Sequence, residues 1–178
     1  NTTGNAEKVL GILSSSKWEA ASDDMKVLAF QPFNGCLGAL YPDATSTSRD
    51  KRNVRDGHYP IWTNLRFILR VDAAGNALSD NGDDAAARAQ LFVDLMNGAV
   101  EIEGLGVAEA VIGVGNVPSC AMHVQREVDG GVITPFEHPA PCDCFFLEQN
   151  GIASGCDPCE TSDECAEGEC RFGYCEPR

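Results

Sequence analysis

Tyr41 to Trp62 reads YPDATSTSRDKRNVRDGHYPIW, and this run decides how the chain is organised. Thr45 to Ser48 is rich in hydroxyls, which suit a bend or a helix N-cap. Thr45 to Asn53 therefore predicts Ser or Thr caps ahead of a charged helical turn. Pro60 restricts the residue before it to extended backbone, so Ile61-Trp62 is expected to open a strand. Leu65 to Val71 (LRFILRV) continues as an alternating, then apolar, strand signal.

Working outward, Ser15 to Asp24 predicts a short helix with Trp18 on its buried side, and Lys26 to Phe30 predicts a strand. Residues 6–10 read as a short helix and 11–13 as a buried strand, with Asn34-Gly35 marking a turn. Asp72 to Asp80 reads as a loop. Asp83 to Asn97 is the clearest helix, with acidic residues at its start and Ala85, Ala89, Phe92 and Met96 on one face. A shorter helix is expected over Gly106 to Val111. Asp129-Gly130-Gly131 then predicts a hairpin joining residues 120–128 to 132–136.

The 178 residues carry 13 basic and 27 acidic side chains, a formal net charge of -14, and 43% hydrophobic residues. That apolar content suits a globular chain, and the acidity opposes non-specific binding to nucleic acid or anionic membrane. Calcium is the sharper reading of the acidity, but Asp80-Asn81-Gly82-Asp83-Asp84 only echoes a calcium loop. No apolar run reaches the ~18 residues that span a bilayer.

Nine cysteines occur, at Cys36, Cys120, Cys142, Cys144, Cys156, Cys159, Cys165, Cys170 and Cys175. The segment from Cys156 is acidic, Gly-rich and nearly free of aliphatics, so cross-links are expected to order it. Zinc held by Cys142-x-Cys144 and Cys156-x2-Cys159 is the alternative; the irregular spacing favours disulfides. A redox Cys156-x2-Cys159 is less suited, because such a motif opens a helix after a strand. An odd count leaves a free thiol or a bond to another chain, and Cys36 is expected to pair with another polypeptide or with Cys120. Disulfides imply an oxidising location: extracellular, cell-surface or periplasmic.

Val54-Arg55-x-Gly57-x-Tyr59-Pro60-Ile61-Trp62, preceded by the Thr45–Ser48 bend, resembles the late segment of the phosphate-binding-like (type II periplasmic substrate-binding) family. The resemblance extends over about residues 3–105. It implies an α/β fold, part of a two-lobed domain with a mixed sheet flanked by helices. In that family the matching segment lies in the second half of the domain. The expected division is therefore 1–118 as the C-terminal half of a substrate-binding-like domain, 119–141 as a β-hairpin extension and 142–178 as a disulfide-rich tail. The tail resembles small cysteine-rich modules at the ends of bacterial surface proteins.

The resemblance implies a non-enzymatic binder of phosphate, another oxyanion or a small molecule in an interlobe cleft, with no cofactor. It further implies a proteolytically processed precursor, with Asn1 made by cleavage and the N-terminal fragment, or another chain, completing the fold. The alternative is a structural or surface-assembly protein on the same scaffold without a ligand. Thr2, Thr3, Gly4 and Asn5, together with Thr45 and Ser46, are the candidate anion-binding residues, since hydroxyls and free N–H groups at a helix start attract anions. Ordinary capping is the plainer reading of both groups.

His58, His123 and His138 have no metal-ligand or triad spacing and read as structural or surface residues. A hydrolase, which would need a Ser or Cys placed beside His58, is the third reading. An N-terminal nucleophile is disfavoured because Asn1 precedes Thr2.

Overall fold

The computed structural model describes residues 12–21, 23–31, 38–78, 83–96, 100, 102 and 106–177. Within them, five α-helices, two short 3-10 turns and two small antiparallel sheets form a mixed α and β structure. The helices are α1 (Ser15–Ala20), α2 (Arg52–Arg55), α3 (Asp83–Met96), α4 (Val107–Gly113) and α5 (Asp143–Gln149). Strands β1 (Val124–Gln125) and β2 (Thr134–Pro135) form one sheet, and β3 (Glu169–Arg171) and β4 (Tyr174–Glu176) the other. None of the helices among the described residues is long and apolar enough to cross a membrane.

The packed centre lies in the C-terminal part. Ile112 of α4, Ala121, Cys142 and α5's Phe145 and Phe146 form the buried cluster, with Val117, Leu147 and Tyr174 against it. Helix α5 was not foreseen, because only seven residues carry its pattern and cysteines flank it. Its start is held from outside. The Glu176 carboxylate on β4 accepts the N–H groups of Cys144 (3.0 Å) and Phe145 (2.9 Å), which a first helical turn leaves without intrahelical partners.

Four disulfides tie this part together: Cys120–Cys142, Cys144–Cys156, Cys159–Cys170 and Cys165–Cys175. The last two interleave across the β3–β4 hairpin. Closing a loop of about 15 residues is worth on the order of 3 kcal/mol in chain entropy, which compensates for the sparse apolar surface here. Cys120 is bonded to Cys142, so the expected Cys36–Cys120 alternative is corrected; Cys36 itself lies outside the described residues. Cys142 and Cys144, read as one possible zinc pair, take different sulfur partners.

Several sequence expectations hold. Helix α3 covers the expected range, although Ala86, not Phe92, is its most buried side chain; Phe92 is 48% exposed and meets Phe67 edge-on at 5.1 Å. Helix α4 runs two residues beyond Val111. The Asp129-Gly130-Gly131 turn does join an antiparallel pair, with Val124 opposite Pro135. Helix α1 stops at Ala20, short of Asp24, and Trp18 is half-buried.

Others are corrected. Residues 61–70 adopt no ladder, and Lys26 to Phe30 contributes only the single bridge from Phe30 to Leu40. Val71 likewise makes one bridge, to Ala77, closing a turn in which Asp72 accepts the N–H groups of Ala74 and Asn76. A strand is a property of two segments, and among the described residues no second segment pairs with 61–70. The helix expected at 6–10, the Asn34-Gly35 turn and residues 79–82 fall outside the described residues; of the buried strand expected at 11–13, Ile12 and Leu13 are described, and both are exposed and in no strand.

Candidate functional site

The run at 41–62 folds around its own polar side chains. Asp43, nearly buried, accepts the backbone N–H of Lys51 (2.8 Å) and its ammonium (3.2 Å). Asn53 donates to the carbonyls of Tyr41 and Asp43. Asp50 accepts N–H groups of Ala44 and Arg52 through one carboxylate oxygen. Helix α2 is thus started by Lys51, in a left-handed backbone, and by Asp50, not by a hydroxyl cap.

Thr45 and Ser48 satisfy each other instead. The Thr45 N–H donates to Ser48 Oγ and the Ser48 N–H to Thr45 Oγ1, both at 3.0 Å, closing a local turn. Thr45 and Ser46 are exposed and converge on no other predicted site residue among those described. Thr2, Thr3, Gly4 and Asn5 lie outside the described residues.

Where the run ends, it docks. Arg55 is 5% exposed; its Nε donates to the Ala121 carbonyl at 2.7 Å and its Nη2 pairs with Asp143 Oδ1. Its guanidinium also lies over the Phe146 ring, 4.8 Å from the centroid. Burial lowers the Arg55 pKa, while the carboxylates of Asp56, Asp50 and Glu176 act in the other direction.

Gly57 follows with φ +76°, and a Cβ there would press 3.0 Å against both Val124 and Ile133 of the β1–β2 hairpin. Only glycine meets both the left-handed backbone and that close approach. On the far side Arg126 stacks 3.8 Å above Trp62 and donates to the Pro60 carbonyl. Trp62 Nε1 and Arg126 Nε are buried without a hydrogen-bond partner among the described residues.

His123 completes this joint. Its Nδ1 lies 2.7 Å from Asp56 Oδ1 and its Nε2 2.8 Å from Asp143 Oδ1. Both ring nitrogens thus face carboxylate oxygens, and His123 bridges Asp56 and Asp143. His123 was read from sequence as an ordinary strand residue; its partners are 67 and 20 residues away, and no local spacing announces them. His58 is exposed, and His138 Nδ1 pairs within its own turn at Ala140.

One cavity lies apart from this joint and one beside it. A shallow one of about 390 Å³ is lined by Gly75, Asn76, Ala77, Ala86, Ala87 and Gln90, with no hydroxyl or cationic side chain among the described residues. A second, about 130 Å³, lies beside Cys120, Met122, His123, Phe136, His138 and Asp143. The Cys159, Cys165 and Cys175 sulfurs lie close enough to share a metal, but all three are in disulfides and offer no thiolate. No family model, curated protein or solved structure matches this chain.

Burial raises the pKa of Glu176 against the opposing pull of the Phe145 and Cys144 N–H groups and of Arg171 and Arg55. It raises Asp43 likewise, against Lys51. A carboxyl with a raised folded pKa binds its proton more tightly when folded, so its stabilising share is full below the unfolded value of 4.5 for Glu and lost as pH climbs through the folded value. Stability is therefore expected to fall with rising pH in the window just above 4.5. Glu176→Gln is expected to flatten that slope, by less than ~1.4 kcal/mol per pH unit, leaving the part due to Asp43. Urea melts at half-unit pH steps check this, and superimposable slopes for the two proteins would refute it.

Proposed function

We propose that this chain is an exported, non-enzymatic protein of the substrate-binding-like class, one part of a two-lobed α/β fold that a second polypeptide completes. One observation carries the reading. Residues 61–70 are β-prone in composition, yet they form no strand and pair with none among the described residues, and they leave Leu65 70% and Ile68 92% exposed. Phe67, Val71, Leu78 and Phe92 extend the same exposed apolar character. Such a segment is stable only when another strand satisfies its backbone and covers its side chains. In this reading the partner is a second polypeptide that supplies the pairing strand. Four disulfides support an oxidising setting, extracellular, surface or periplasmic. In this reading phosphate, another oxyanion or a small molecule occupies a cleft formed with that partner.

A second reading has its own observation. Among the described residues, the larger cavity presents no hydroxyl or basic group to an anion, which favours a structural or surface-assembly protein built from the same two pieces.

Non-reducing native mass spectrometry of the protein purified from its source, repeated after reduction, tests the shared premise. A second polypeptide in the intact particle is expected; this chain alone, folded and monomeric, would overturn it. Equilibrium dialysis of the intact particle against inorganic phosphate then separates the readings. Saturable uptake supports the binder, and none over the millimolar range supports the assembly protein.

A further inference from the structure

The two groups that receive the Arg55 guanidinium come from places 22 residues apart, and a disulfide brings them together. Arg55 Nε donates to the carbonyl of Ala121, the residue after Cys120; Arg55 Nη2 pairs with Asp143, the residue after Cys142. Cys120 and Cys142 are bonded, and the Cys142 N–H donates to the Cys120 carbonyl at 3.0 Å. The receptor for the Arg55 fork is therefore assembled by this one cross-link. Asp143 also holds His123, whose backbone N–H donates to the Arg55 carbonyl at 3.1 Å, so the contacts among Arg55, Asp143 and His123 share the same bond.

The other three disulfides lie wholly between Cys144 and Cys175. Together with the Glu176 bonds to Cys144 and Phe145, they hold α5 and the β3–β4 hairpin without help from Cys120. Cys142 is fully buried, but Cys120 is half-buried and lines the 130 Å³ cavity beside Met122, His123 and Phe136, which gives a small thiol an approach to one of the two sulfurs.

We propose that Cys120–Cys142 is a redox-sensitive latch. Reduction by a dithiol releases the 41–62 run from the C-terminal part, while that part stays folded on its three remaining disulfides. A thiolate of the dithiol attacks Cys120 Sγ, and Cys142 leaves as a thiolate. The second thiol then attacks the mixed disulfide, freeing Cys120 and closing the reagent into its own disulfide. Two electrons pass from the dithiol to the protein, and its two protons end on the two cysteines.

The test uses the full chain and graded dithiothreitol, with trapped thiols located by alkylation and backbone opening followed by hydrogen exchange. Cys120 and Cys142 are expected to become alkylated before the other six disulfide-bonded cysteines. In step with them, protection over 51–62 should fall about tenfold or more, while 157–176 keeps its protection. The Cys120→Ser/Cys142→Ser double variant is expected to show the same pattern without reductant, and re-oxidation of the wild type to restore it. The proposal is overturned if another pair opens first, or if all four open together. It is equally overturned if the double variant leaves 51–62 as protected as before, or loses 51–62 and 157–176 alike.

Discussion

Arg55→Ala is expected to lower the unfolding free energy by about 3 kcal/mol, near the lower end of the range for removing one partner of a buried ion pair. In a chain of this size that corresponds to a melting temperature about 6–12 °C lower. The loss has three sources. The Ala121 carbonyl is left without its donor, Asp143 keeps only His123, and the face of Phe146 loses the cation above it. Arg55→Lys should recover only part of the loss, because a single ammonium does not span both acceptors as the guanidinium fork does. Urea unfolding followed by tryptophan fluorescence reads the effect through Trp62, seven residues along the same run. An Arg55→Ala protein within 1 kcal/mol of wild type would mean that the joint is a surface ion pair in energetic terms.

Phe146→Ala is expected to cost about 3–5 kcal/mol, the usual range for emptying a buried aromatic site. Phe146 is 1% exposed and packs with Ile112, Ala121 and Cys142, so neighbours held by the Cys120–Cys142 bond have little freedom to fill the void. Calorimetry under non-reducing conditions measures it, and a melting temperature lowered by less than about 2 °C would show that the centre collapses onto the cavity. Because Arg55 stacks on this ring, the Arg55→Ala/Phe146→Ala double variant should lose less than the sum of the singles.

Legibility followed the range of the interactions. Helix α3 was readable from its acidic start and apolar spacing, and the β1–β2 turn from Asp129-Gly130-Gly131, because both depend on neighbours in the chain. Gly57 was visible only as part of a resemblance; its reason, the approach of Val124 and Ile133, lies more than 60 residues away. The strand expected at 65–71 had the right composition and no partner segment among the described residues, so propensity alone did not make it a strand. Thr45 and Ser48 looked like helix caps, and their hydroxyls instead closed a turn on each other, a competition that such short polar side chains often win.

The sequence by itself determined that cross-links order the cysteine-rich C-terminal segment, because its residues have too little apolar surface to do so unaided. It also determined α3, the hairpin turn and the acidic surface. The tertiary structure alone decided which cysteines pair, that α5 becomes the packed centre, and that Arg55, Asp56, His123 and Asp143 meet at one joint. Those facts depend on contacts between residues up to 88 positions apart. Local propensity and spacing carry no information about which distant groups a folded chain brings within hydrogen-bonding reach.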